Sequence, residues 1–294
     1  MKKSLGLLLT LWFVQNASAQ TISYNFRVND PNEVRNLSFS PYSYGFDFGK
    51  KATPVGFTLF YTGHHVSLES SYMFNGAAKD TTPPMAKINP YHELDLMMSL
   101  QFSDKVVDIP QRITVSSSSD GTYRYTQFFD ADVNARKIKG MRLGLETFNS
   151  YLSTTTQSAA GGNYTTEYVN YTSSVFCIGY LSKRIFNYII DYGRVRTMKR
   201  MREFYIDIMF PISSSRDNTV FPEVANTSDN HPVYHSWGGR IGWMHHSARI
   251  VGSYLRIEAG SMPGWQESSS SGSYYTKLIL GFCFSTGALK KVQL

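Results

Sequence analysis

Beyond one stretch near the N-terminus, the chain lacks any long apolar run. Residues 7–14 are apolar, but nothing later reaches the roughly 18 uninterrupted apolar residues that a membrane-spanning helix requires, which excludes helical spans. Cysteine is scarce: Cys177 and Cys283 lie far apart, each within an apolar strand-like segment, and read as small buried thiols rather than a bridge. Charge is modest at 17%. Also missing are the Gly-x-Ser-x-Gly elbow, the phosphate loop, the dinucleotide fingerprint and any Cys/His zinc spacing, so no cofactor or metal is expected.

What is present begins with an export signal. Lys2 and Lys3 form a positive n-region, Leu7 to Val14 an apolar core, and Ala17-Ser18-Ala19 a small-residue cleavage site, so residues 1–19 are expected to leave and the mature chain to start at Gln20. The remainder suits one large domain. Its 22 Gly, 20 Tyr and 19 Phe make a β-rich composition. The formal charge of +7 loses two with Lys2 and Lys3, leaving +5. Part of that excess sits in the segment 194–202, in Arg194, Arg196, Lys199, Arg200 and Arg202, which argues for one basic patch and against a nucleic-acid-binding fold.

The organising pattern is alternation. In residues 91–102, Leu94, Leu96, Met98, Leu100 and Phe102 occupy every second position, with Glu93, Asp95, Ser99 and Gln101 between them. A period of two is a β-strand with one apolar and one polar face. The same alternation marks spans at 38–49, 55–62, 65–74, 138–152, 172–182, 203–210, 235–246, 248–260 and 274–285, ten in all with the first. Residues 21–28 admit either a short strand or an unpaired lead-in, so 20–37 are set apart from a barrel at 38–285, with 286–294 as a short tail. Residues 103–137 show no clean apolar face and read as an insertion outside the membrane, although Ser118-Ser119-Asp120-Gly121 is a hairpin signal.

The loops supply an independent check. The long polar stretches 75–90, 153–170, 211–234 and 261–273 fall on one side of an alternating chain, and tight turns at 63–64 and 247 on the other. Bacterial outer-membrane barrels show this asymmetry and favour an even strand count. The connections 103–137 and 183–201 break the pattern, and strands drawn from them would raise ten to twelve. The expectation is an all-β chain folded as an antiparallel transmembrane β-barrel. A soluble lipid-carrier barrel would instead turn its apolar face inward. Two features favour lipid. The polar faces carry both signs, in Glu93, Asp95, Arg142, Glu146, Glu203, Asp207, Arg240, Arg256, Glu258 and Lys277, as paired lumen charges require. Aromatic residues such as Tyr42, Tyr61, Tyr72, Tyr91, Tyr151, Trp237 and Trp243 gather near span ends, as interface girdles do.

With its signal ending Ala17-Ser18-Ala19-Gln20, its Tyr-rich amphipathic strands and its Ser/Thr/Gly-rich loops, the mature chain resembles the outer-membrane β-barrel proteins of Bacteroidetes-type bacteria. The resemblance implies a Gram-negative cell envelope and residence in the outer membrane. It also implies a porin-like but non-enzymatic structural, transport or surface-interaction role, with a lumen that is filled or narrow at ten strands. The partner it implies is outer-membrane lipid, with the outer loops open to a protein partner; the basic segment 194–202 reads as a solvated or lipid-contacting turn, with docking of a protein as the alternative. Ten strands is also the size of the omptin-type proteases, whose site looks like an Asp/His pair facing two further acids. Asp229-Asn230-His231 is the chain's one Asp-x-His, and Glu93 and Asp95 are the acids an outer strand end could bring to it. Solvated loop residues and structural lumen acids are the plainer reading of those four. The pairs His64-His65 and His245-His246 read as surface histidines, since a metal needs a third convergent ligand.

Overall fold

A computed structural model describes residues 25–34, 36–48, 53–63, 65–74, 92–119, 121–157, 164–191, 195–217, 233–247, 249–266 and 274–285. The signal segment, the tail 286–294, and Asp229 and His231 lie outside the described residues.

In chain order the strands are β1 (Asn25–Val28), β2 (Asn36–Asp47), β3 (Val55–Thr62), β4 (Val66–Phe74), β5 (His92–Ser119), β6 (Arg124–Gln157), β7 (Tyr164–Asp191), β8 (Val195–Asp217), β9 (Val233–His235), β10 (Gly238–Ser247), β11 (Val251–Ser261), β12 (Gly264–Gln266) and β13 (Tyr274–Ser285). Ten of them close an antiparallel barrel in the order β2, β3, β4, β5, β6, β7, β8, β10, β11, β13, with β13 returning to pair with β2. The short β9 and β12 pair with each other, and β1 pairs with the end of β7. The count is ten, not twelve.

The two connections that broke the loop pattern are continuations of strands. β5 and β6 stay paired from His92↔Asn149 to Ser119↔Arg124, so that 103–119 and 124–137 are the two arms of one hairpin. At about 3.3 Å per residue, the 28 residues of β5 run roughly 90 Å, far past the barrel wall. β7 and β8 likewise stay paired out to Asp191↔Val195. Successive strands at that end are then separated by only three or four residues, at 63–65, 120–123, 192–194 and 248–250. Pro110 is tolerated in β5 because β4 pairs with that strand only as far as Leu100, leaving the distal part an edge. Pro41 sits where the β2–β3 register slips between Ser40 and Ser43, a bulge that spares the missing N–H.

Alternation decides the faces. On β5, Leu94, Leu96, Met98 and Leu100 are exposed on the outside, whereas Glu93, Asp95, Met97 and Ser99 are buried inside. On β8, Phe204, Ile206, Ile208 and Phe210 point out, and Glu203, Tyr205, Asp207 and Met209 point in. The barrel is therefore apolar on its surface and charged in its interior. Two apolar clusters accompany the interior charges. One joins Phe60, Ile138, Ile185, Met201 and Met244 to Val34, which enters from the segment between β1 and β2. The other joins Met97, Val175, Cys177 and Met209 to Met262, which enters from the connection after β11. Both cysteines are buried free thiols, in separate clusters.

Beyond the barrel, the extended hairpins hold an apolar cluster of their own. Ile113, Val133 and Ala135 of β5 and β6 pack with Phe186, Tyr188 and Ile190 of β7, and Phe26 of β1 closes the group against Phe129 and Tyr188. This cluster is distinct from the barrel's interior. Substituting Val133→Asp is expected to weaken the extension by about 2–3 kcal/mol, seen as new protease cleavage within 103–137, while the barrel itself keeps its resistance.

Candidate functional site

The chemistry-bearing side chains converge inside the barrel. An arginine has five N–H donors in a fixed fork and stays charged, so once enclosed it must be met by acceptors on several sides. Three arginines face inward here from three different strands, and each is met. Arg142 of β6 reaches Glu69 of β4 at 3.2 Å and Asp207 of β8 at 3.1 Å. Arg240 of β10 binds Asp207 at 2.7 Å and Glu146 at 2.8 Å, with Glu258 and Asp95 at 3.6 and 3.8 Å. Arg256 of β11 contacts its strand neighbour Glu258 at 2.6 Å, Glu69 at 2.9 Å and Asp95 at 3.0 Å. Many of these pairs join strands distant in barrel order, so the lattice spans the interior rather than running along one wall.

Tyr205 sits at the centre. The guanidinium of Arg142 lies 3.7 Å from its ring centroid, its hydroxyl donates to Glu258, and it accepts from Nε of Arg256 at 2.9 Å. It can lie across the wall because its register partner on β10 is Gly242: a Cβ there would meet the Tyr205 ring at 2.0 Å. Gly144 similarly seats Met97, where a Cβ would fall 2.0 Å from the thioether sulfur. Tyr275 donates a further hydrogen bond to Glu258 at 2.7 Å. Toward the long-loop end Lys277 pairs with Glu93 at 2.7 Å. Toward the tight-turn end Lys183 pairs with Glu203 at 3.0 Å and bonds Thr62 at 3.2 Å.

All ten side chains expected on the polar faces, namely Glu93, Asp95, Arg142, Glu146, Glu203, Asp207, Arg240, Arg256, Glu258 and Lys277, are buried in this interior. Sequence reasoning missed Glu69, whose place on the polar face of β4 was a usable signal. It missed Lys183 because that residue fell in a stretch read as a connection. The lattice role of Tyr205 had no signal, since an inward tyrosine opposite a glycine appears only once strands are paired. Glu93 and Asp95 are each engaged by a cation of the lattice. His65 is exposed, as expected of a surface histidine, but His246 is fully buried against the Phe60 ring, contrary to that expectation, and His64 lies outside the described residues. Among the described residues no three His, Cys, Asp or Glu side chains are placed to hold a metal ion.

One void, between Phe60, Glu69, Met97, Lys183 and Met201, measures about 10 Å³, at the lower limit for holding a water. The larger opening, of about 950 Å³, is a cleft beside Trp237, Gly239, Ala259 and Tyr274 near the long-loop end, where Asp207 and Arg240 are already bound to each other. No protein-family model matches the chain. No curated protein is similar enough to count as a relative.

Removing one partner from a buried pair strands the others, at about 3–5 kcal/mol. Arg240→Met is expected to lower the unfolding midpoint accordingly, and pairing it with Asp207→Leu to recover part of the loss in a double-mutant cycle. Gly242→Ala is expected to destabilise by about 1–3 kcal/mol by lifting Tyr205 from its seat, with relief when Tyr205→Phe is added only if the hydroxyl, not the ring, is what clashes. The ring atoms nearest the added Cβ predict little relief.

Proposed function

We propose that this chain is an integral β-barrel of the bacterial outer membrane, of the Bacteroidetes type, with a filled lumen and a structural or surface-interaction role. The observation that carries the reading is the inversion of polarity. Leu94, Leu96, Met98, Leu100 and Phe102 are all exposed on one strand, and Phe204, Ile206, Ile208 and Phe210 on another, over an interior of ion pairs. Water would not tolerate an apolar surface encircling the molecule, since soluble monomers keep such patches to a few hundred Å². A hydrocarbon layer favours it. From Leu94 to Phe102 the stripe covers about 27 Å along the strand, or roughly 20 Å along an axis from which strands tilt by about 40°, close to the height of an outer-membrane barrel's apolar band. A soluble barrel would place these side chains inside.

The filled lumen is supported by the cross-barrel lattice and by both ends. Met262 and Pro263, between β11 and β12, and Gly264 at the start of β12 are buried, and the Trp265 N–H donates to Ser214 of β8 at 3.2 Å. At the other end Pro31 and Val34 are buried, and the Asn187 amide holds the carbonyl of Asp30 at 2.9 Å. With long connections at one end and tight turns at the other, the tight-turn end faces the periplasm and the long loops face outward. Those loops are then the surface available to partners.

Unheated protein in detergent is expected to migrate as a compact band that heating converts to a slower one. Met98→Arg, in the middle of the stripe, is expected to cost about 2–4 kcal/mol and to lower the conversion temperature. Recovery of the chain as a soluble periplasmic protein, indifferent to Met98→Arg, would overturn the membrane reading. Planar bilayers containing the folded chain are expected to stay silent, and steady unitary conductance would overturn the filled lumen.

A further inference from the structure

At the tight-turn end, the apolar stripe gives way to basic residues on four consecutive strands. On β6, Lys139 and Lys137 follow Met141 outward; on β7, Arg184 follows Tyr180 after Ser182; on β8, Arg202 and Arg200 precede Phe204. The register sets Lys105 opposite Lys137, Lys137 opposite Arg184, and Arg184 opposite Arg202. Directly opposed side chains lie only about 5 Å apart at Cβ, and like charges so placed destabilise a sheet. Among the described residues no carboxylate forms an ion pair with any of these four, whereas the inward charges on the same strands, Arg136, Lys183 and Glu203, are all paired. Among the described residues, the interior charges are thus neutralised by the protein's own groups, and no carboxylate pairs with this outward row.

We infer that the row Lys105, Lys137, Arg184 and Arg202 binds the phosphates of anionic phospholipids in the leaflet facing the tight-turn end. The inference rests on the membrane reading above. The row lies immediately past the last apolar outward residues, Met141, Tyr180 and Phe204, which is where headgroup phosphates begin. It runs across four strands, a width of about 15 Å at the usual strand spacing of about 4.8 Å, so more than one phosphate is accommodated. Arginine forks and lysine ammoniums both suit phosphate oxygens. The Phe186 ring under Arg202, 5.7 Å from the guanidinium carbon, holds that fork at the surface. An anionic leaflet removes the repulsion along the row and converts it into attraction, which a zwitterionic leaflet does less well.

The test uses the full mature chain in bilayers, with spin-labelled phosphatidylglycerol or spin-labelled phosphatidylcholine as probe, and reads the fraction of lipid immobilised on the protein. Phosphatidylglycerol is expected to be preferred by about fivefold, the worth of one basic residue near a charged surface, with the preference falling in 1 M salt. The triple variant Lys137→Gln, Arg184→Gln, Arg202→Gln is expected to bring the two lipids to equal binding while keeping the heat-dependent band shift. A preference that survives the triple variant, or no preference in the native chain, overturns the inference and leaves the membrane reading standing, the second result being the one expected if an acidic protein rather than lipid occupies the row. Absence of immobilised lipid with either probe overturns both.

Discussion

The structure depends on how Arg240 is satisfied. A guanidinium enclosed by a barrel wall has lost its water, and the loss is tolerable only if carboxylates meet it on several sides. Arg240 draws on Asp207, Glu146, Glu258 and Asp95, which come from β8, β6, β11 and β5. Arg142 and Arg256 share those acids and add Glu69 of β4. With Lys277 of β13 joining through Glu146 at 3.9 Å, one connected set of ion pairs thus draws on seven of the ten strands. The barrel cannot slip its register at any of them without stranding a charge, so the lattice specifies the pairing as well as stabilising it.

That constraint governs the small residues too. A ring as large as Tyr205 fits among three arginines only by lying flat on Gly242, and Met97 only by lying over Gly144. Each glycine is a seat for the side chain opposite it. At the two ends of the lattice sit Val34 and Met262, each buried in an apolar cluster. Polarity is consequently sorted by direction. Charges that face inward find partners within the protein. Among the described residues, those facing outward in the row from Lys105 to Arg202 form no ion pair, and they stand where the apolar stripe stops.

The long hairpins explain why two segments looked irregular. Within the barrel, β5 and β6 alternate because one face lines the charged interior and the other forms the apolar outer surface. Beyond Phe102 neither environment applies, and a register shift between Gln101 and Ser103 marks the change. There the hairpin buries Ile113, Val133 and Ala135 against β7 instead, so its apolar residues follow the needs of a local cluster and not of the barrel. An alternation count sees such a stretch as a loop, although it is continuous strand.

Several properties were legible in the residues themselves. The period of two in residues 91–102 and 203–210 is local, and it fixes strand, facing and the sorting of Glu93, Asp95, Glu203 and Asp207 onto the polar face, because backbone pleating alone puts successive side chains on opposite sides. Ten such spans implied an even-stranded barrel. What pairing alone decided is which charge meets which: Arg256 and Glu69 are 187 residues apart in the chain yet 2.9 Å apart in space, and nothing in either segment announces the other. Closure of β13 on β2 brings them across the interior, and the same closure turns Gly242 into a seat and aligns Lys137, Arg184 and Arg202 into a row. Which residues share a face is a property of one strand, and so the sequence carries it. Partnership is a property of the closed circle, and only the tertiary structure could set it.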